Sequence, residues 1–165
     1  MGIEDLAELY AYNGWANERV RNSIQDLDPK VFKHDLGASF GSLQATVAHL
    51  VSAQWNWLRR WKGQSASQPL PSESFASPVE AIRRWVEVDR ALAGFVDGLD
   101  AGSLHQSIAL TTPQGRNYSS PLWRAMLHVV NHSSYHRGQI AAMLRQVGAT
   151  PQGTDLMLYY RELSG

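Results

Sequence analysis

The chain has 165 residues, 44% hydrophobic and 18% charged, with fifteen basic side chains balanced by fifteen acidic ones. Such neutrality offers no global attraction to nucleic acid or to an anionic membrane surface. The lack of cysteine excludes a disulfide framework, thiolate metal ligands and a cysteine nucleophile, so any metal must rest on histidine and carboxylate, which suit zinc, nickel, iron or manganese.

The length suits one domain over residues 1–165. Its first ten residues, "MGIEDLAELY", are acidic and amphipathic, unlike a signal peptide. No apolar run approaches membrane-spanning length. A cytoplasmic protein is the expectation, with a small-molecule substrate and neither nucleic acid nor membrane as partner.

The spacing of Ile3, Leu6, Leu9, Tyr10, Ala16, Val20, Ile24 and Leu27 predicts a first helix over Ile3 to Leu27, ended by Asp28-Pro29. "HDLGASFGS" reads as loop. Ser42 is the expected cap of a second helix that reaches Trp61 or Lys62 and stops at Gly63. A polar linker, "GQSASQPLPSESFAS", follows. "SPVE" opens a third helix: Ser77 caps, Pro78 fits the first turn and Glu80 completes a capping box. Val79, Ile82, Val86, Leu92, Phe95, Val96 and Leu99 are its expected apolar side.

Between Ser107 and Tyr118, β-branched residues around a Pro-Gln-Gly turn predict a short hairpin. Ser120-Pro121 repeats the cap-and-proline start for a fourth helix running to Val147 and closed by Gly148. "TDLMLYYREL" reads as a short C-terminal docking helix capped by Thr154. Four long amphipathic segments predict an all-α fold, a four-helix bundle, whose core commonly hosts metal sites built from facing helices.

Three of the six histidines, His128, His132 and His136, fall four residues apart in "HVVNHSSYHRGQI". Residues at that spacing point the same way from a helix, and two imidazoles so placed can grip one ion. The outer two stand about 12 Å apart along the axis, too far to share an ion easily. The apolar stripe Leu122, Met126, Val129, Ile140, Met143, Leu144 and Val147 includes the direction of His136, has His132 at its edge and leaves His128 on the flank. A further ligand must come from elsewhere, and His49 on the second helix is the best candidate. Its direction lies opposite the stripe Leu43, Val47, Leu50, Val51, Leu58 and Trp61, among Ala45, Ser52, Ala53 and Asn56, so its phase leaves pocket and solvent both open.

"LWRAMLHVVNHSSYHRGQIAAMLRQVG" closely resembles the signature of the DinB-like family of small metal-dependent enzymes. "SFGSLQATVAHLVSAQWNWLRRWKG" is similar to that family's first ligand helix, and "YNGWANERV" to its opening helix. The resemblance extends over nearly the whole chain, in the same order. It implies a four-helix bundle, commonly a homodimer, with one divalent metal, zinc or nickel, held by His49, His132 and His136. His128 matches a histidine of many relatives that is not a ligand. Related branches include thiol-dependent transferases and isomerases whose cofactor is a small thiol.

Three neutral imidazoles would leave an ion with its full charge and an open position, an arrangement suited to catalysis rather than to a closed structural site. Such an ion can acidify water or receive a substrate thiolate. Ser133 follows His132 where the zinc-protease motif has glutamate, so peptidase chemistry of that type is not expected. A base would come from another helix, from Tyr135 or from the metal site itself. Arg137 is the candidate for a substrate carboxylate. Gly138 suggests close packing or an approaching ligand, and Gln139 a hydrogen bond near the site. Gln54, Asn56 and Asn131 are candidate partners for the second nitrogen of a ligating imidazole. Trp55, Trp57 and Trp61 read as core and pocket wall. The implied function is a metal-dependent enzyme acting on a small molecule, a thiol-dependent S-transferase or a hydrolase. The alternative is a non-catalytic metal-binding stress-response protein.

Overall fold

The computed structural model describes residues 1–65, 68–111 and 114–165. Its long helices are α1 (Ile3–Ile24), α3 (Leu43–Trp61), α4 (Pro78–Asp97) and α5 (Leu122–Gln146); short helices α2 (Pro29–Lys33) and α6 (Leu156–Leu163) and two strands, β1 (Ser107–Thr111) and β2 (Asn117–Pro121), accompany them. α3 packs against α4 and α5, and so does α1, which sets the four long helices at the corners of a square. α1 is therefore diagonal to α3, and α4 to α5. This is the expected four-helix bundle.

Local chemistry explains where most elements begin. Ser42 accepts from the Ala45 N–H, and Gly63 adopts φ 69° just beyond α3, a left-handed position that glycine takes without strain. Ser77 accepts from the Glu80 N–H, whereas the Glu80 carboxylate reaches one residue further back than a capping box requires, to the Ala76 N–H. Gly148, φ 78°, follows α5 as expected.

Three boundaries and one helix face differ from the sequence reading. The first helix stops at Ile24 rather than Leu27, and the Asp28-Pro29 pair that signals its end also starts α2, Asp28 accepting from the Lys30 N–H. Ser120 does not cap α5: it and Pro121 lie in β2, paired with Ile108 and Ser107, so the strand leads directly into the helix. The cap of α6 is Asp155, which accepts from the Met157 N–H, rather than Thr154. On α4 the buried line is Ala81, Trp85, Val88, Leu92 and Val96, while Val79 is exposed. Trp85 explains the rotation, since its fully buried indole moves the inward face away from Val79.

The hairpin joins β1 and β2 antiparallel, with Leu110 opposite Tyr118, as expected. Pro113 of the anticipated turn lies outside the described residues, as do two positions of the linker after α3. Described parts of that linker pack back onto α3: the Gln44 amide donates to the Phe75 carbonyl, and the Leu70 N–H donates to the Ser52 hydroxyl. The core runs through all four long helices, from Leu6 and Ile24 through Leu50, Leu58 and Trp85 to Met126 and Ile140. No helix among the described residues is long and apolar enough to cross a membrane.

Candidate metal centre

His49 enters from α3, and His132 and His136 from α5, the two helices that face each other across one side of the square. Their ligand atoms all lie within 4.8 Å of one another. The Nε2 of His132 is 3.3 Å from that of His49 and 3.1 Å from that of His136. A tetrahedral zinc ion with Zn–N bonds of about 2.0–2.1 Å spaces its ligand nitrogens by about 3.3–3.4 Å. The donor set fits a divalent ion before one is added. Among the described residues the group contains these three imidazoles and no carboxylate.

The protonation pattern favours a cation as well. Gln139, one turn beyond His136, presents its Oε1 2.7 Å from His136 Nδ1. An amide oxygen can only accept, so Nδ1 holds the proton and Nε2 turns a lone pair inward. Holding the far nitrogen in this way orients a ligand imidazole and raises its basicity. Gln139 thus fills the role for which Gln54, Asn56 and Asn131 were candidates; Gln54 instead donates to the Ser133 hydroxyl, and Asn131 is exposed.

Burial, followed by the neighbouring imidazoles, pushes His132 from 6.5 down to about 4. Burial is also the leading cause that lowers His49, His136 and His128. These side chains are therefore held neutral, the form that ligates metal.

Aromatic rings wall the cluster. Phe40 stacks on His49 with centroids 4.2 Å apart and meets His136 edge-on. Its loop is shaped by a bridge between Ala38 and Gly41, where Gly41 takes φ 78°. The sequence carried no signal for Phe40, because loop residues have no periodicity to place them. Tyr135, also exposed, meets His136 edge-on at 5.1 Å. His128 is exposed and stands one turn before His132, with its ring centroid 5.7 Å from that of His132 and 5.0 Å from Trp57.

His49 reaches the cluster despite pointing away from the main apolar stripe because α3 is covered on two sides. Leu43, Val47, Leu50 and Val51 are fully buried, and Ala45, Ser52 and Asn56 on its own side are buried too. A helix wedged between two neighbours and a linker has no solvent face to which phase could assign the histidine.

Arg137 is not brought to the cluster. It is 1% exposed and turned toward α1, where Nη1 donates to Asn13 Oδ1 at 2.7 Å and Asn17 Oδ1 at 2.9 Å. Nη2 donates to Ser134 Oγ and Tyr12 Oη. Asn17 passes the connection to Asp89 on α4, which pairs with Arg21. A guanidinium enclosed in this way is a strut between three helices rather than a substrate contact, because both of its terminal nitrogens already donate to protein oxygens. Its role follows from "YNGWANERV", which supplies Tyr12, Asn13 and Asn17, with Arg21 directly after it. Gly138 is exposed, and a Cβ there would meet nothing within 4 Å, so it marks no close helix packing.

The profile of the DinB family matches residues 1–162. The chain belongs to the DinB family. Protein DinB of Bacillus subtilis (strain 168) is 26% identical over an alignment of 165 positions that covers 95% of each chain. The crystal structure of a DinB-like protein from Bacillus cereus ATCC 10987 superposes with a TM-score of 0.71 at 19% identity, covering 92% of this chain and 97% of that one. The likeness to that structure establishes the shared fold. A three-histidine cluster compatible with a metal ion is thus part of a DinB-family protein.

Proposed function

We propose that this DinB-family protein is a metal-dependent enzyme acting on a small molecule, with one divalent ion, zinc or nickel, held by His49, His132 and His136. The observation that carries this reading is the convergence of three neutral imidazole nitrogens from two helices, with no fourth protein ligand in the group among the described residues. The ion would supply Lewis acidity and a position open to an exogenous donor, which suits thiol-dependent S-transfer or hydrolysis. The chain's own residues do the rest: Gln139 fixes the His136 tautomer, Phe40 shields one flank, and Tyr135 offers an exposed phenol beside the cluster. A small cytoplasmic thiol as co-substrate, a cytoplasmic location and a homodimeric state belong to the same reading, on family resemblance.

Metal content is the first test. The wild-type protein should retain one ion per chain, and His49→Ala, His132→Ala and His136→Ala should each lose it; unchanged content in all three ends the proposal. Cobalt substitution then separates an enzyme from a non-catalytic metal-binding protein. An open ion changes its visible spectrum when azide or a thiol is added, whereas a closed site leaves the spectrum unmoved.

A further inference from the structure

The balanced net charge conceals a segregation of acids. From Asp35 to Glu73 and again from Asp100 to Asp155 the intervening chain contains no aspartate or glutamate. Those two stretches contain both histidine-bearing helices and the whole hairpin. They nevertheless contain Arg59, Arg60, Lys62, Arg116, Arg124, Arg137 and Arg145. The elements that build the metal centre therefore present cationic and neutral side chains only.

A cleft of about 210 Å³ opens between α3, α5 and the hairpin, lined by Trp57, Leu110, Tyr118, Arg124 and His128. His128 forms the wall it shares with the metal centre, its ring 5.7 Å from that of His132. Trp57 lines the cleft and packs against the bundle core, its ring centroid 5.0 Å from that of His128 and 5.0 Å from the Arg60 guanidinium. Tyr118 is exposed at the mouth. Arg124 is exposed, rests on the Trp123 ring at 5.2 Å and makes no ion pair with a carboxylate among the described residues. The cleft thus joins a guanidinium free of any carboxylate to two aromatic faces, one turn of helix from the histidines.

We propose that this cleft is the substrate-recognition site and takes a small organic anion with a flat or apolar body. Arg124 receives the anionic group, since a guanidinium without a carboxylate partner offers its donor fork to a planar anion. Trp57 and Tyr118 hold the body, and His128 separates it from the histidine cluster. A second functional group on the same molecule then lies within reach of the metal centre. Arg124 takes the anion-binding part that the buried Arg137 cannot. That the bound anion is a substrate rests on the metal-enzyme reading, whereas its binding does not.

The full chain, freed of metal by chelation, provides the test by NMR titration with 3-phenylpropionate and with its uncharged amide. The carboxylate should shift the Trp57 indole N–H and the Tyr118 signals and bind about three- to tenfold more tightly than the amide. Arg124→Gln, at an exposed position, should remove that advantage while leaving amide binding unchanged. Tyr118→Ala should weaken both probes. Equal affinity for carboxylate and amide, full retention of the advantage in Arg124→Gln, or unmoved Trp57 and Tyr118 signals would overturn the proposal. Because no metal is present, anion binding by a protein that takes up no ion would strike the enzyme reading alone. Metal uptake without anion binding would strike this proposal alone.

Discussion

At the scale of single residues, the chemistry of the centre lies in how each imidazole is protonated. His132 titrates near 6.5 in an unfolded chain and is pushed to about 4 in the folded one. Between those values the unfolded chain binds a proton that the folded protein refuses, so the metal-free protein loses stability as pH falls from 6.5 toward 4. His49, His136 and His128 act in the same direction. Asp89, raised to about 6 chiefly by burial, acts in the opposite one, gaining stability as the pH falls through that value. His132→Gln should therefore flatten the acid loss relative to wild type, with Asp89 common to both proteins. Urea midpoints from pH 7 to 4 check this, and parallel curves would refute the assignment. Gln139→Ala tests the tautomer argument separately. Without its oxygen on His136 Nδ1, metal affinity should fall about 10- to 100-fold with the fold unchanged, as measured by competition with a chromophoric chelator.

At the scale of elements, what matters is which faces meet. α5 presents His132 and His136 to α3, and the next residue, Arg137, turns to α1. The same segment of helix thus contributes the histidine cluster on one side and a buried polar strut on the other. Replacing Arg137 with Met should cost about 2–4 kcal/mol in urea unfolding, since it leaves the buried Asn13 and Asn17 oxygens short of their donor. Arg124→Gln should change stability by less than about 0.5 kcal/mol, because an exposed surface substitution disturbs no such network. This contrast also shows where sequence pattern reaches its limit. Ser42 and Ser77 with Pro78 were legible as helix starts because caps act through neighbours a few residues away. The inward face of α4 and the environment of Arg137 were not. Both depend on partners about 70 to 120 residues distant, which no local period encodes.

For the whole molecule, the histidine cluster is a clasp between α3 and α5, where His49 and His132, 83 residues apart in sequence, are brought to a 3.3 Å contact. An ion that binds the folded arrangement and not the unfolded chain stabilises by mass action, about 4 kcal/mol at a thousandfold excess over its dissociation constant. Zinc or nickel should accordingly raise the melting temperature, a chelator should reverse the rise, and His49→Ala should abolish it. A melting temperature indifferent to both metal and chelator would leave the cluster as a polar seam in the core.

The sequence by itself determined the bundle, the order of its helices, and two of the three clustered histidines, because helical periodicity and the four-residue spacing of His132 and His136 are local properties. His49 was reached through resemblance, and its phase could not decide between pocket and solvent. Only the tertiary structure decided that α3 is buried on two sides, that Gln139 rather than a residue of α3 orients His136, that Phe40 covers the cluster, and that Arg124 rather than Arg137 faces a cleft. Each of these depends on which helix lies beside which, and adjacency is set by packing the whole chain at once.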